Sequence, residues 1–175
     1  MAHNSAAVIW TMSILTACQR VAVGAPSAPT ATVRPSAALP LEVSASSALV
    51  PAGGGAQHGP RVQTRVILRN LGAAPLRLTL STACTVMVRV FFTPDRQGQH
   101  VWGSGNYPGS CKGVDLPQTV AGGAADTLYE RIPAQLILGD SLPRGRIYYF
   151  SAYVVIREVP GEHVELPAGA VRLGQ

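Results

Sequence analysis

Beyond residue 38 the chain alternates apolar and polar side chains with a period near two, the spacing of half-buried β-strands. No stretch shows the roughly 3.6-residue period of an amphipathic helix. The clearest case sets Val62, Thr64, Val66 and Leu68 against Arg61, Gln63, Arg65, Ile67 and Arg69, and ends at the turn signal Asn70-Leu71-Gly72. Upstream, Leu39, Leu41, Val43 and Ala45 alternate with Pro40, Glu42 and Ser44, and residues 51–60 (PAGGGAQHGP) read as the intervening loop. Leu76, Leu78 and Leu80 then face away from Arg77 and Thr79, as an antiparallel return. Residues 85–92 (TVMVRVFF) are β-branched and aromatic enough for a central strand, with Val101-Trp102 as its hairpin partner after the turn at 93–100. Residues 126–133 give a short strand, and 147–157 (IYYFSAYVVIR), introduced by the turn at 142–145, the strongest one. A last short strand at 162–166 is expected to fray into the tail. About seven antiparallel strands separated by turn signals predict an all-β fold, a two-sheet sandwich.

In the 147–157 strand, Tyr148, Phe150 and Ala152 share one face, and Tyr149, Ser151 and Tyr153 the other. One face is expected to be core and the other to be covered by neighbouring loops. The alternative for the second face is a partly exposed aromatic strip, suited to binding because tyrosine is apolar in body and polar at its tip.

The N-terminus follows a different pattern. Residues 6–17 (AAVIWTMSILTA) form an uncharged run too short for a membrane span of about 20 residues, but of the length of a signal-peptide core. Leu15-Thr16-Ala17-Cys18 looks like a bacterial lipobox, in which a free thiol on Cys18 receives a diacylglycerol and small preceding residues admit the peptidase. The positive end that normally precedes such a core is weak here, consisting of the initiator amine and His3. The expected organisation is a signal peptide at 1–17, an acylated cysteine with an Ala/Pro/Ser-rich tether at 18–38, and a sandwich domain at 39–175. The tether cannot bury enough apolar surface to fold, so it would hold the domain clear of the lipid. Gln19 after the cysteine favours the outer membrane, with the domain facing the periplasm, by resemblance to lipoproteins with known sorting rules.

The three cysteines agree with export. Acylation of Cys18 leaves Cys84 and Cys111, which an oxidising compartment would join in a disulfide contributing roughly 3–4 kcal/mol. Two unlinked thiols are the alternative if the chain stays in the cytoplasm. A zinc site is not expected, because neither cysteine has a further His or Cys at ligand spacing.

Charge narrows the partners. The chain carries a formal net charge of +5, which allows attraction to anionic membrane surfaces or acidic partners. Its basic residues are scattered, however, and no stripe of the kind that tracks nucleic acid is present.

No catalytic constellation stands out. His3, His58, His100 and His163 fall in loops or at strand ends, and Asp95, Asp115, Asp126 and Asp140 fall in turn-like sequence. Gly103-Ser104-Gly105 lacks the strand–elbow–helix setting of a hydrolase nucleophile and reads as a flexible loop. Gly53-Gly54-Gly55 lacks the Lys and Ser/Thr of a phosphate-binding loop. The expectation is a protein without enzymatic activity, cofactor or metal.

Five elements carry a resemblance to a known family: Asn70, Gly72, Pro75, Leu76 and Leu78 in an N-x-G-x-x-P-L-x-L stretch; the strand from Val86 to Phe91; Gly98, Val101 and Trp102; Gly122-Gly123; and Pro143, Gly145, Ile147, Tyr149, Ser151 and Tyr153. In their order these resemble the Bacillus-type intracellular proteinase inhibitor domain family, an immunoglobulin-like sandwich also found in exported bacterial proteins. The resemblance spans Leu41 to Val159 and implies an immunoglobulin-like fold more specifically than an activity. The function expected is that of a non-enzymatic cell-envelope lipoprotein that binds a protein, peptide or glycan. Its best surface is the loop from 93 to 111, with Arg96, His100, Trp102, Tyr107 and Lys112 as the residues. The alternative is a proteinase inhibitor presenting Arg96 or Lys112 as its basic specificity residue, and a structural envelope role stands behind both.

Overall fold

Strand alternation becomes a layer when its apolar side is covered, and in Arg61–Asn70 (β3) it is: Val62, Val66 and Leu68 are fully buried. Thr64 sits among them without an unpaired hydroxyl, because it hydrogen-bonds Ser47 at 2.8 Å. The structure, a computed structural model, describes residues 31–51, 59–81, 86–106 and 115–174. The remaining described strands are Thr32–Val33 (β1), Leu41–Val50 (β2), Leu76–Ser81 (β4), Met87–Phe91 (β5), Trp102–Gly103 (β6), Asp115–Val120 (β7), Ala125–Pro133 (β8), Arg146–Val155 (β9) and His163–Leu173 (β10), with one short helix, Ala134–Leu138 (α1).

The strands make two four-stranded antiparallel sheets, ordered β1-β2-β3-β8 and β10-β9-β5-β6, and a separate ribbon of β4 and β7. This is an all-β sandwich with immunoglobulin-like strand order: β2-β3-β8 in one sheet, β10-β9-β5-β6 in the other. The core lies between the sheets, with Leu41, Val43, Val66 and Leu68 from the first and Val88, Val90, Phe150 and Leu166 from the second. At the start of β9 the Tyr148 ring is wholly buried and its hydroxyl donates to the Pro143 carbonyl at 2.6 Å, the tyrosine-corner arrangement of such sandwiches. Burial pushes the Tyr148 hydroxyl pKa up, so the proton that makes this bond stays in place.

The N-x-G stretch is a corner. Asn70 is fully buried; its amide nitrogen donates to the carbonyls of Ala74, Val120 and Ala121, and its oxygen accepts the Gly72 N–H. One side chain thus ties the turn after β3 to the turn after β7. Gly122 is needed beside it for space, since a Cβ there would lie 1.9 Å from the Ala73 carbonyl oxygen. Arg157 fastens the ribbon to the second sheet through Glu162 at 2.6 Å, Ser81 at 2.9 Å and Asp115 at 3.3 Å.

Several expectations need correcting. Leu76, Leu78 and Leu80 do return antiparallel, but onto β7, which the sequence reading missed. Asp115 and Asp126 lie in strands, not turns. The last strand does not fray at 166 but runs through Leu173, paired to β9 nearly throughout. Helix α1 is one turn long, too short to show a period; Ile137 and Leu138 anchor it, and Gly139 at φ 49° ends it. Thr32 and Val33, in the segment read as tether, pair with Ser44 and Val43 of β2. Cys18, Cys84, Cys111, Tyr107 and Lys112 lie outside the described residues, as do His3 and His58.

Candidate functional site

The outer face of the second sheet is where the alternation stops being simply polar. Register places Met87, Tyr153 and Glu165 in one row across β5, β9 and β10, and Arg89, Ser151 and Pro167 in the next. Phe91, Tyr149 and Ala170 form a third row. Arg89 donates to Glu165 at 2.7 Å, and its guanidinium lies 5.2 Å from the centre of the Tyr153 ring. Tyr153 also stacks on His163, with 5.2 Å between ring centres. Both partners of the Arg89–Glu165 pair are partly exposed, so the pair contributes orientation more than stability.

The segment from 92 to 101 folds back over one end of this face. Thr93 to Arg96 is a turn closed by the Arg96 N–H on the Thr93 carbonyl at 3.2 Å, and Arg96 itself has φ 54°. Hydrogen bonds from Thr93 and the Gln97 N–H hold the Asp95 carboxyl below its ordinary pKa. The Arg96 side chain explains why this conformation is kept. In β10 the register shifts between Pro167 and Ala170, a bulge opposite Phe150. Arg96 donates at this bulge, with Nε on the Phe150 carbonyl at 2.9 Å and a terminal nitrogen on the Gly169 carbonyl at 3.2 Å. Its third bond, to the Pro94 carbonyl at 2.8 Å, fixes the turn to the sheet. Burial pulls its pKa down, but a guanidinium remains charged.

Two adjoining hollows result. The larger, about 300 Å³, is bounded by Arg89, Phe91, Arg96, His100, Ser151 and Pro167. The smaller, about 120 Å³, lies between Met87, Arg89, His100, Gly105 and Tyr153. Arg89 and His100 border both, and His100 packs edge-on against Phe91 with ring centres 6.4 Å apart. Among the described residues no group of three or more His, Cys, Asp or Glu is placed to hold a metal, and no helix is long and apolar enough to cross a membrane.

Of the residues singled out from sequence, Arg96 and His100 come together at this opening. Trp102 does not line it; it is half-buried and packs against the core from β6. Ser104, the centre of the Gly-Ser-Gly stretch, is buried in a 3-10 turn where its hydroxyl accepts the Val88 N–H at 2.8 Å, so it is a fixture of the sheet and not part of a flexible loop. The loop covering expected for the Tyr149–Tyr153 face is partial: Ser151 is 3% exposed, while both tyrosines stay partly open. Sequence reasoning missed Arg89 and Glu165. Arg89 had a signal, being the one charge inside the apolar run of residues 85–92. Glu165 had none, because its role depends on the register of β10 with β9.

No family model matches the chain, and no curated protein matches it. Among solved structures it is similar to the X-ray structure of Northeast Structural Genomics Consortium target SoR45, with 11% identity and a TM-score of 0.33 over 78% of this chain and 87% of that one.

Proposed function

We propose that this chain is a non-enzymatic interaction module of the bacterial cell envelope. In this reading Cys18 carries the lipid, Cys84 and Cys111 pair, and the sandwich meets a protein partner through the outer face of β10-β9-β5-β6. The observation that carries it is the opening around Arg89, where charged and aromatic side chains converge on a sheet face that two strands, a bulge and a pinned turn hold in shape. Arginine and tyrosine are the residue types that anchor interfaces, and a surface ordered in advance lowers the cost of association.

The proteinase-inhibitor reading, which the family resemblance implies, ranks second. A basic specificity residue has to project freely into a protease pocket, whereas three bonds to backbone carbonyls hold the Arg96 guanidinium against the sheet. The test is in-cell cross-linking of the full-length protein beside an Arg89→Glu/Tyr153→Ala variant, with mass spectrometry of captured material and of Cys18. The proposal expects lipid on both baits and a reproducible partner that the variant loses. Undiminished capture by the variant would place the interface elsewhere, a captured protease would move inhibition ahead, and an unlipidated Cys18 would remove the envelope assignment.

A further inference from the structure

The larger hollow brings together donors that the bonds within the protein do not use up. Ser151 forms its floor: the side chain lies on the outer face, is 3% exposed, and makes no side-chain hydrogen bond among the described residues. Arg89 stands on one side, with one terminal nitrogen on Glu165 and its other nitrogens without a partner among the described residues. Arg96 stands on the other side, where three bonds use only part of a guanidinium's five N–H groups. His100 forms part of the wall. Two carboxylates also line it: Glu165 accepts from Arg89 through one oxygen, and Asp95 accepts the Gln97 N–H at 3.2 Å. Phe91, Leu166 and Pro167 give the rest of the lining an apolar side.

Resting on the interaction-module reading above, we infer that this hollow is a subsite for a carboxylate, the side chain of a glutamate or aspartate on the partner protein. A carboxylate brings two oxygens and about four lone-pair sites, which the Ser151 hydroxyl and the free Arg89 and Arg96 donors can fill, and charge-assisted bonds of this kind are the stronger ones. The apolar wall suits the methylenes of a glutamate. The volume, about 300 Å³, is that of a pocket for one side chain of a larger partner. Glu165 acts as a positioning residue: it holds Arg89 across the opening and also competes with the incoming carboxylate.

The experiment is a ¹H–¹⁵N NMR titration of the full chain with acetyl-Gly-Glu-Gly-amide, its Gln analogue and sodium acetate, following the Ser151 amide and the arginine Nε–H signals. The inference expects saturable shifts with the Glu peptide and binding weaker by about tenfold with the Gln analogue. Ser151→Ala and Arg89→Met should each weaken the Glu peptide by about five- to tenfold while leaving Tm unchanged, and Glu165→Gln should tighten it several-fold. Equal binding of Glu and Gln peptides, or no saturable shift, would overturn the carboxylate subsite. Acetate binding as tightly as the peptide would overturn its assignment to a partner side chain. In either case a partner cross-linked through this face would leave the module reading standing, so the two failures are distinguishable.

Discussion

Asn70→Ala removes the side chain that ties two turns together. The residue is fully buried, and its amide holds three carbonyls and one N–H belonging to two different turns. Loss of the amide leaves the Gly72 N–H and the Val120 carbonyl without a partner, each at about 1–3 kcal/mol, and opens a small void beside them. The expected cost is therefore about 3–5 kcal/mol, or a fall in Tm on the order of 10–15 °C for a domain of this size. Thermal unfolding followed by circular dichroism measures it. Asn70→Asp sharpens the reasoning, because it keeps the shape but turns the donor into a carboxylate facing three carbonyl oxygens. At neutral pH it should destabilise at least as much as alanine, and part of the loss should be regained on acidification as the carboxyl protonates and can donate once. If Asn70→Ala lies within about 1 kcal/mol of the parent, or Asn70→Asp matches the parent at neutral pH, the corner does not depend on this network.

This corner also shows what sequence could and could not reveal. The N-x-G stretch and the Gly122-Gly123 pair were visible as a family-like signature, but their meaning is spatial: Asn70 and Gly122 meet only because β7 and β8 bring residues 120–124 back to the end of β3. Strand existence was legible wherever one face is buried, as in β3, β8 and β9, since burial forces a period of two. It was not legible for β7, where all but Val120 are at least partly exposed and Pro117 interrupts the pattern. The end of β10 was hidden by the Pro167–Ala170 bulge, which shifts the phase of alternation midway. For the site, Arg96 and His100 were found through their loop, whereas Arg89, Ser151 and Glu165 become neighbours only through strand register. Arg96 was chosen as a basic residue of that loop, yet two of its donors are bound to carbonyls at the bulge.

Other outcomes follow from the same contacts. Gly122→Ala, with its Cβ 1.9 Å from a backbone oxygen, should cost several kcal/mol or prevent folding, whereas Gly123→Ala, at φ 70° with open space around it, should cost only about 1 kcal/mol by chemical denaturation. Arg96→Ala should leave the sandwich folded but expose the 92–101 segment to limited proteolysis, with cleavage there at least several-fold faster; unchanged cleavage would mean that the bulge does not hold the turn. Glu130 lies on the edge strand β8, and burial raises its pKa above the ordinary 4.5. The folded state then holds this proton more tightly than the unfolded one, so its contribution is fully present below pH 4.5 and is lost as pH rises through the folded-state pKa. Glu130→Gln should accordingly flatten the fall in Tm above pH 4.5 and raise Tm at neutral pH; parallel Tm–pH curves for the two proteins would contradict this.

The central claim is that the outer face of the second sheet is the surface that meets a partner. Its most direct test is site-specific photo-cross-linking in cells, with a photoreactive phenylalanine analogue placed at Tyr153 on that face and, in a matched protein, at Arg65, an exposed residue of the first sheet. The account predicts a discrete cross-linked envelope protein from position 153 and none from 65. The same adduct from position 65, with none from 153, would contradict it.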